Sequence, residues 1–168
     1  TQGVGRISAD DAIAFGLVGP IARAAGVAYD VRKAFPYLGY ETFEFDVPTG
    51  QNGDVYDRYK VRIEEMRQSL RIIEQALNNL PGGPYRSDNR KYVPPPRSEI
   101  GHSMESLIHH FKLWTEGYRL PKGEVYVRTE SPRGELGVYM VSDGGTKPWR
   151  VRYRTPTFWN LQSISWMA

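Results

Sequence analysis

The sequence predicts an α+β fold, in which long antiparallel helices pack with a small antiparallel β-meander. Two stretches carry apolar residues at alternating spacings of four and three, as on one face of a helix. In the last third of the chain the apolar residues recur at every second position, which is typical of strands. The 168 residues are 40% hydrophobic and 24% charged, which suits a single domain over 1–168. Its predicted parts are a mainly helical stretch at 1–80, a proline-rich connection at 81–98, a helix at 99–118 and a sheet at 124–155.

The first part of the chain predicts short elements. Ser8, followed three residues later by Asp11, has the pattern of a helix N-cap. Pro20 is a suitable first residue for a second short helix, which we expect to end near Gly26. Apolar and polar residues then alternate over 37–47, which predicts a weak strand.

The strongest pattern lies between Asp54, a suitable N-cap, and Pro81, which cannot continue a helix. The apolar positions of this helix are Tyr59, Ile63, Met66, Leu70, Ile73, Leu77 and Leu80. A second helix, with Ser103 as its possible cap, has the same rhythm. Its apolar positions are Ile100, Met104, Leu107, Phe111, Trp114 and Tyr118. We expect these two apolar faces to pack against each other in antiparallel fashion.

The connection between the two helices holds five prolines between residues 81 and 97, including the run at 94–96. It is too long and too polar for a tight helical hairpin. A segment of this kind is either disordered or lies on a partner as an extended strap.

A hairpin and a third strand are predicted for the sheet. The turn at 131–134 has a Pro-Arg-Gly sequence that joins two alternating strands and places Arg133 at its tip. In the third strand Arg150, Arg152 and Arg154 fall on one face. These arginines either guard a solvated sheet edge or dock on an acidic partner surface.

Several classes of chemistry are excluded or not indicated. The chain has no cysteine, so it forms no disulfide and cannot hold an iron–sulfur cluster or metal through thiolates. Its histidines, His102, His109 and His110, lack the spacing of a helical zinc site, so we predict no metal. A net charge of +3 is mild, and we expect no nucleic-acid partner. Apolar runs are short, so we expect no membrane span. No nucleophile with its base is recognisable.

A series of motifs in a fixed order extends over most of the chain. They are Asp-Val-Arg-Lys at 30–33, Phe-Asp-Val-Pro at 45–48, Gly-Asp-Val-Tyr-Asp-Arg at 53–58, Val-Arg-Ile-Glu-Glu-Met-Arg-Gln-Ser at 61–69, Ser-Met-Glu-Ser-Leu-Ile-His-His-Phe-Lys at 103–112, Thr-Glu-Gly-Tyr at 115–118, Glu-Ser-Pro-Arg-Gly-Glu-Leu-Gly at 130–137 and Val-Ser-Asp-Gly-Gly at 141–145. In this combination the chain resembles the C-terminal half of the D-type subunits of the proton-pumping NADH:quinone oxidoreductase, respiratory complex I.

The resemblance implies a fold shared with the large subunit of nickel-iron hydrogenases, without their metal-binding cysteines. It implies a place beside a neighbouring iron–sulfur subunit, with which the family forms the cavity for the quinone headgroup next to the terminal cluster. No cofactor is then bound by this chain, and quinone and NADH are substrates of the whole complex. The complex couples electron transfer to proton translocation, and its D-type subunit lies on the cytoplasmic side of the bacterial membrane.

The resemblance also implies site residues. Arg133 matches an arginine that overhangs the metal centre in the hydrogenase motif, and it could hold positive potential near a reduced cluster or a quinone anion. The alternative is a solvated arginine at the tip of a turn. The full set of cavity or cluster-proximal candidates is Arg133, Glu130, Pro132, Ser103, Met104 and His109. None of them is predicted to be catalytic.

Two functional classes therefore stay open. One is a part of a redox-enzyme subunit whose activity exists only in the complex. The other is a stand-alone scaffold or protein-interaction module with no redox role. In both cases we expect apolar surfaces without a cover, and therefore self-association of the isolated chain.

Overall fold

The computed structural model describes residues 1–168 and confirms the α+β class. The chain forms two compact units. The first consists of Thr1–Leu80, Tyr126–Val138 and Arg152–Ala168, and the second of Pro81–Val125 and Tyr139–Val151. Whether the chain folds as one domain stays a prediction. None of the helices is long and apolar enough to cross a membrane.

Eight α-helices, one 3-10 helix and a three-stranded antiparallel sheet make up the chain. The helices are α1 Ala9–Ala14, α2 Pro20–Ala24, α3 Val31–Ala34, the 3-10 helix Tyr40–Thr42, α4 Val55–Asn78, α5 Arg97–Ile100, α6 Met104–Thr115, α7 Pro156–Leu161 and α8 Ile164–Met167. The strands are β1 Gly123–Ser131, β2 Gly134–Ser142 and β3 Arg150–Arg154, in the order β1-β2-β3. The predicted hairpin and third strand are confirmed.

The core of the first unit is small and lies around α1 and α2. Its buried residues are Ile7, Ala12, Leu17, Ala22 and Ala25. Met167 of α8 and Phe15 pack against this cluster from its edge. α2 lies against α4, and both of its alanines, Ala22 and Ala24, are buried.

The predicted helix starts are confirmed by their caps. Ser8 Oγ accepts a hydrogen bond from the Asp11 N–H at 3.1 Å, and Asp54 Oδ1 accepts one from the Asp57 N–H at 2.8 Å. Ser103 caps α6 in the same way. Each side chain satisfies a backbone donor that the first helical turn leaves free.

The strand predicted over 37–47 is wrong. This segment contains the 3-10 helix and then an extended stretch with no strand beside it. Its backbone bonds instead to the side chains of α4. The N–H of Glu44 donates to Gln75 Oε1 at 2.9 Å, Gln75 Nε2 donates to the Glu44 carbonyl at 2.7 Å, and the N–H of Asp46 donates to Gln68 Oε1. The extended backbone and the alternation of residues were predicted correctly, but the hydrogen-bond partners of this backbone are side chains of a helix and not a neighbouring strand.

The second long helix is shorter than predicted. Its first turn separates as α5, and α6 begins after Ser103, so Ile100 belongs to a different element from the rest of the apolar face. Neither of the two apolar faces is covered within its own unit. On α4, Leu70 and Leu77 are 66% and 68% exposed, and on α6 Phe111 and Trp114 are similarly open.

Candidate functional site

A cleft of about 550 Å³ lies within the first unit, and because four arginines line it we call it the arginine cleft. It is formed by α2, α3, α4 and the turn between β1 and β2. Its lining residues are Arg23, Arg32, Arg62, Glu65, Met66, Ser69, Glu130, Ser131, Pro132 and Arg133. The cleft therefore contains Glu130, Pro132 and Arg133, three of the residues predicted for the site.

A buried arginine organises the floor of the cleft. Arg23, on α2, is only 2% exposed. Its Nε donates to Glu65 Oε1 at 2.7 Å, and its Nη1 donates to Glu130 Oε1 at 3.0 Å and to the Tyr29 carbonyl at 2.8 Å. Asp30 Oδ2 lies 3.8 Å from the same Nη1. A buried guanidinium is tolerable only when it is paired and hydrogen-bonded, and these contacts fulfil that condition.

Asp30 caps α3 and binds a second arginine. Its Oδ1 accepts from the Arg32 N–H and from Arg32 Nε, and its Oδ2 accepts from Arg32 Nη2 at 2.7 Å. Burial alone would raise the pKa of Asp30, but the hydrogen bonds and the charge of Arg32 outweigh it and lower the pKa. Asp30 is therefore held as a carboxylate with its own positive partner.

Glu130 sits at the end of β1 with its side chain 5% exposed. Its Oε2 accepts a hydrogen bond from the Val31 N–H at 3.1 Å, and its own N–H donates to the Tyr37 hydroxyl oxygen. Burial raises the pKa of Glu130, the charge of Asp30 adds to the rise, and Arg23 opposes it. Two neighbouring carboxyls thus have pKa values shifted in opposite directions.

The turn that carries Arg133 is fixed by a close backbone approach. Gly134 has a φ of +122°, and a Cβ placed there would lie 2.7 Å from the backbone of Val18 and of Gly19. Gly19 has a φ of +73° and meets the same turn. Because both positions need a left-handed backbone and have no room for a side chain, only glycine fits.

Asn160 of α7 joins the two sides of this contact. Its Oδ1 accepts from the Val18 N–H at 3.1 Å, and its Nδ2 donates to the Val18 carbonyl at 3.2 Å and to the Arg133 carbonyl at 3.5 Å. The backbone of Arg133 is therefore held from α7, while its side chain is exposed and reaches only Thr157, at 3.5 Å.

The other predicted cavity residues lie in the second unit, on or beside α6. Ser103 is the N-cap of that helix, Met104 is 73% exposed, and His109 Nε2 lies 3.7 Å from Glu105 Oε1. None of the three is among the residues that line the arginine cleft. No group of three or more His, Asp or Glu side chains has the arrangement of a metal site.

The three arginines of β3 have different surroundings. Arg150 and Arg152 are exposed. Arg154 Nη1 donates to the Glu135 carbonyl at 3.0 Å, and its guanidinium lies 5.6 Å from the Trp159 ring centre. Arg154 thus fastens β3 to its neighbours, whereas Arg150 and Arg152 are available to solvent or a partner.

Sequence reasoning missed Arg23, Asp30 and Glu65 as members of the site. Glu65 looks like any charged residue on an exposed helical face, and nothing in the pattern distinguishes it from Glu64. Arg23 did carry a signal, because it stands between two alanines in a helix with no other charge. An isolated charge in a helix that must be buried needs partners elsewhere in the chain.

A further buried carboxylate, Glu135, lies on β2. Tyr29 Oη donates to Glu135 Oε2 at 2.6 Å, and Tyr126 Oη donates to Oε1 at 3.3 Å. Burial and this hydrogen bond raise the pKa of Tyr29 to about 12. The phenol stays protonated and serves to hold Glu135, so it adds no acid–base group to the cleft.

The fold and the cleft define an α+β protein that concentrates paired charges in one cleft. Guanidinium groups line the cleft, and a carboxyl with a raised pKa lies in its floor.

Comparison with known proteins gives the family. The family described as respiratory-chain NADH dehydrogenase, 49 kDa subunit, matches residues 1–168. The chain is 63% identical over its whole length to the D 2 subunit of the NADH-quinone oxidoreductase of Chloroflexus aurantiacus, covering 42% of that protein. It is 60% identical over 97% of its length to NADH-quinone oxidoreductase subunit 4 of Thermus thermophilus, covering 40% of it. The chain belongs to the 49 kDa subunit family, and it spans about two fifths of the relatives that it matches.

Proposed function

We propose that this chain forms part of the subunit that helps build the quinone-reduction cavity of an NADH:quinone oxidoreductase. The observation that carries the proposal is the arginine cleft, in which Arg133 is presented on a fixed turn beside Glu130 and Pro132. The names of the relatives supply the reaction, an electron transfer from NADH to quinone. Proton translocation by the whole complex belongs to the same proposal.

The role of Arg133 is electrostatic. A reduced quinone or a reduced iron–sulfur cluster carries added negative charge, and a guanidinium held in place before that charge appears stabilises it without reorganisation. The backbone of Arg133 is fixed by Asn160 and by the glycine contact, while its side chain remains free to approach a ligand. Arginine also keeps its positive charge at every relevant pH.

The partners follow from the same proposal. In this proposal the terminal cluster is held by a neighbouring subunit, and this chain itself has no cysteine that could ligate it. Other subunits of the complex cover the apolar faces of α4 and α6. Arg150 and Arg152 are candidates for docking on an acidic surface of one of them. The complex lies at the bacterial cell membrane, with this chain peripheral on the cytoplasmic side.

The test is replacement of Arg133 in the assembled oxidoreductase. We expect R133A to lower quinone reductase turnover by roughly tenfold or more, because one charge-stabilising donor is lost. We also expect the midpoint potential of the terminal cluster to fall. R133K, which keeps the charge, should restore part of both values.

R6A is the matched control, since Arg6 is an exposed arginine of the same unit outside the cleft. Turnover and cluster potential in R133A equal to those of R6A would contradict the role of Arg133. The second candidate function, a scaffold or interaction module with no redox role, is favoured by the exposed apolar faces alone. Quinone reductase activity in a complex lacking this subunit would favour that second candidate.

A further inference from the structure

Carboxylates outnumber guanidinium groups in the floor of the arginine cleft. Three carboxylates, Asp30, Glu65 and Glu130, lie within 3.8 Å of the single guanidinium of Arg23. The only other positive group bound to them is Arg32, which pairs with Asp30. Fully ionised, this buried cluster would carry one uncompensated negative charge. Burying such a charge is costly, and proteins generally avoid it by binding a proton.

The three carboxylates differ in how well their charge is compensated. Asp30 has the two parallel hydrogen bonds of Arg32 in addition to Arg23. Glu65 makes the shortest contact with Arg23, and its side chain is 16% exposed, so solvent also stabilises its charge. Glu130 is 5% exposed. Its only positive partner is Arg23, which it shares with the other two carboxylates, and it accepts one backbone N–H. Glu130 is therefore the least compensated of the three.

The pKa directions agree with this ranking. The pKa of Glu130 is raised, first by burial and then by the charge of Asp30, whereas the pKa of Asp30 is lowered. The carboxyl that lacks a positive partner of its own is the one whose protonated form is favoured.

We propose that the Glu130 carboxyl is a proton-binding site of the arginine cleft, which takes up a proton when negative charge enters the cleft and releases it when that charge leaves. The proton comes from solvent through the cleft and binds a carboxylate oxygen. No other covalent bond forms or breaks in this step. The negative charge itself stays on the group that brings it.

The surroundings of Glu130 make it responsive to such a charge. The charged and titratable groups that face it are Arg23 of α2, Asp30 and Arg32 at the start of α3, Tyr37 in the following loop, Arg62 and Glu65 of α4, and Arg133 of the turn. Arg62 and Arg133 are exposed and attract anions to the mouth of the cleft. An added negative charge then disfavours the ionised form of Glu130.

For the origin of the charge this inference rests on the proposed function, in which an electron arrives on the quinone or on the terminal cluster. The proton site itself does not depend on it. Infrared difference spectroscopy of the assembled oxidoreductase tests the proton site separately from the origin of the charge. A protonated carboxyl gives a carbonyl band that shifts when the solvent is D₂O.

We expect this band to appear in the oxidised enzyme as the pH is lowered, and to grow on reduction with NADH at constant pH. It should vanish in E130Q and persist in E44Q, whose carboxylate is on the exposed surface. In E65Q, which leaves Glu130 in place, the cluster loses one negative charge. The pH at which the Glu130 band disappears should then be lower than in the unmodified enzyme.

Three results would count against the inference, and a fourth would separate it from the proposed role of Arg133. A band that survives in E130Q shows that the proton lies on another group. If the pH at which the band disappears is not lowered in E65Q, the charge of the cluster does not control the protonation of Glu130. If the band does not grow on reduction with NADH, proton uptake by Glu130 is not coupled to the arrival of negative charge. If R133A leaves turnover and potential unchanged while the Glu130 band still responds to reduction, the proposed role of Arg133 fails and the proton site stands.

Discussion

Asp54 and Asp57 are buried carboxylates that fix the start of α4. Asp54 Oδ2 accepts from the Gly3 N–H at 2.7 Å, and Asp57 Oδ2 accepts from the N–H groups of Gln51 and Asn52 at 3.0 and 2.7 Å. Lys60 Nζ lies 2.7 Å from Asp57 Oδ1. The hydrogen bond and charge of Lys60 and the two backbone donors hold the pKa of Asp57 well below its usual value. Both carboxylates thus tie separate loops to one helix end.

The pH dependence of stability follows from the lowered pKa of Asp57. Its ionised form stabilises the folded chain at every pH above 3.8, the ordinary value for Asp, and this contribution is lost as the pH falls below it. We expect D57N to lower the free energy of unfolding by about 1–2 kcal/mol near neutral pH, because charged hydrogen bonds become neutral ones. We also expect D57N to weaken the fall of the unfolding free energy with decreasing pH, as measured by denaturant unfolding from neutral pH to below 3.8.

Asp10 provides the control, since it is an exposed acid in the first turn of α1. D10N should change stability little at any pH. Equal acid dependence in D57N and D10N would contradict the assignment. The cap at Asp54 was predictable from its position before an apolar run, but the role of Asp57 was not. It depends on the loop of Gln51 and Asn52 folding back onto the helix, which no local pattern indicates.

Among the elements, the turn between β1 and β2 shows what sequence can and cannot give. The Pro-Arg-Gly pattern was sufficient to predict the hairpin and the place of Arg133 at its tip. The contact of this turn with Gly19 and its bond to Asn160 join residues that are far apart in the chain. Spacing within one strand carries no information about such contacts, so the positioning of Arg133 had to come from the structure.

Replacement of Asn160 tests how the turn between β1 and β2 is held in place. N160A removes an amide that bonds to both polar groups of the Val18 backbone and to the Arg133 carbonyl, and it leaves buried backbone groups without partners. We expect a loss of about 1–3 kcal/mol in the free energy of unfolding. Amide hydrogen exchange at residues 131–134 should become faster than in the unmodified chain.

Q162A is the matched control from the residues that follow α7, because Gln162 is exposed and makes one bond, to the Phe15 carbonyl. It should leave exchange in the turn unchanged. Unchanged exchange in N160A would mean that the two glycines alone hold the turn.

The failed strand over 37–47 has a physical cause at the same scale. Alternation of apolar and polar residues predicts an extended chain that has one face buried, and that part of the prediction is correct for Phe45, which is buried. A strand also needs a neighbour that supplies hydrogen bonds. Here Gln68 and Gln75 of α4 supply them from side chains, a role that periodicity does not reveal.

At the scale of the whole molecule, the positions of the helices could be predicted from the sequence, but the surfaces that pack on their apolar faces could not. The alternating spacing located α4 and most of α6, since apolar periodicity determines which residues share a face. What lies on that face depends on other chains or segments. Exposure of Leu70, Leu77, Phe111 and Trp114 shows that neither unit buries its own apolar face.

Uncovered apolar faces of this size are expected to drive self-association of the isolated chain. Leu70 and Leu77 lie two turns apart on α4, and each exposes about two thirds of its surface. A double variant, L70E with L77E, places charge on that face and should shift sedimentation velocity profiles toward the monomer at high protein concentration. N78E, which adds a charge at an exposed polar position of the same helix, should leave the association unchanged. A strictly monomeric unmodified chain, or equal dissociation by N78E, would show that the apolar face is not the cause.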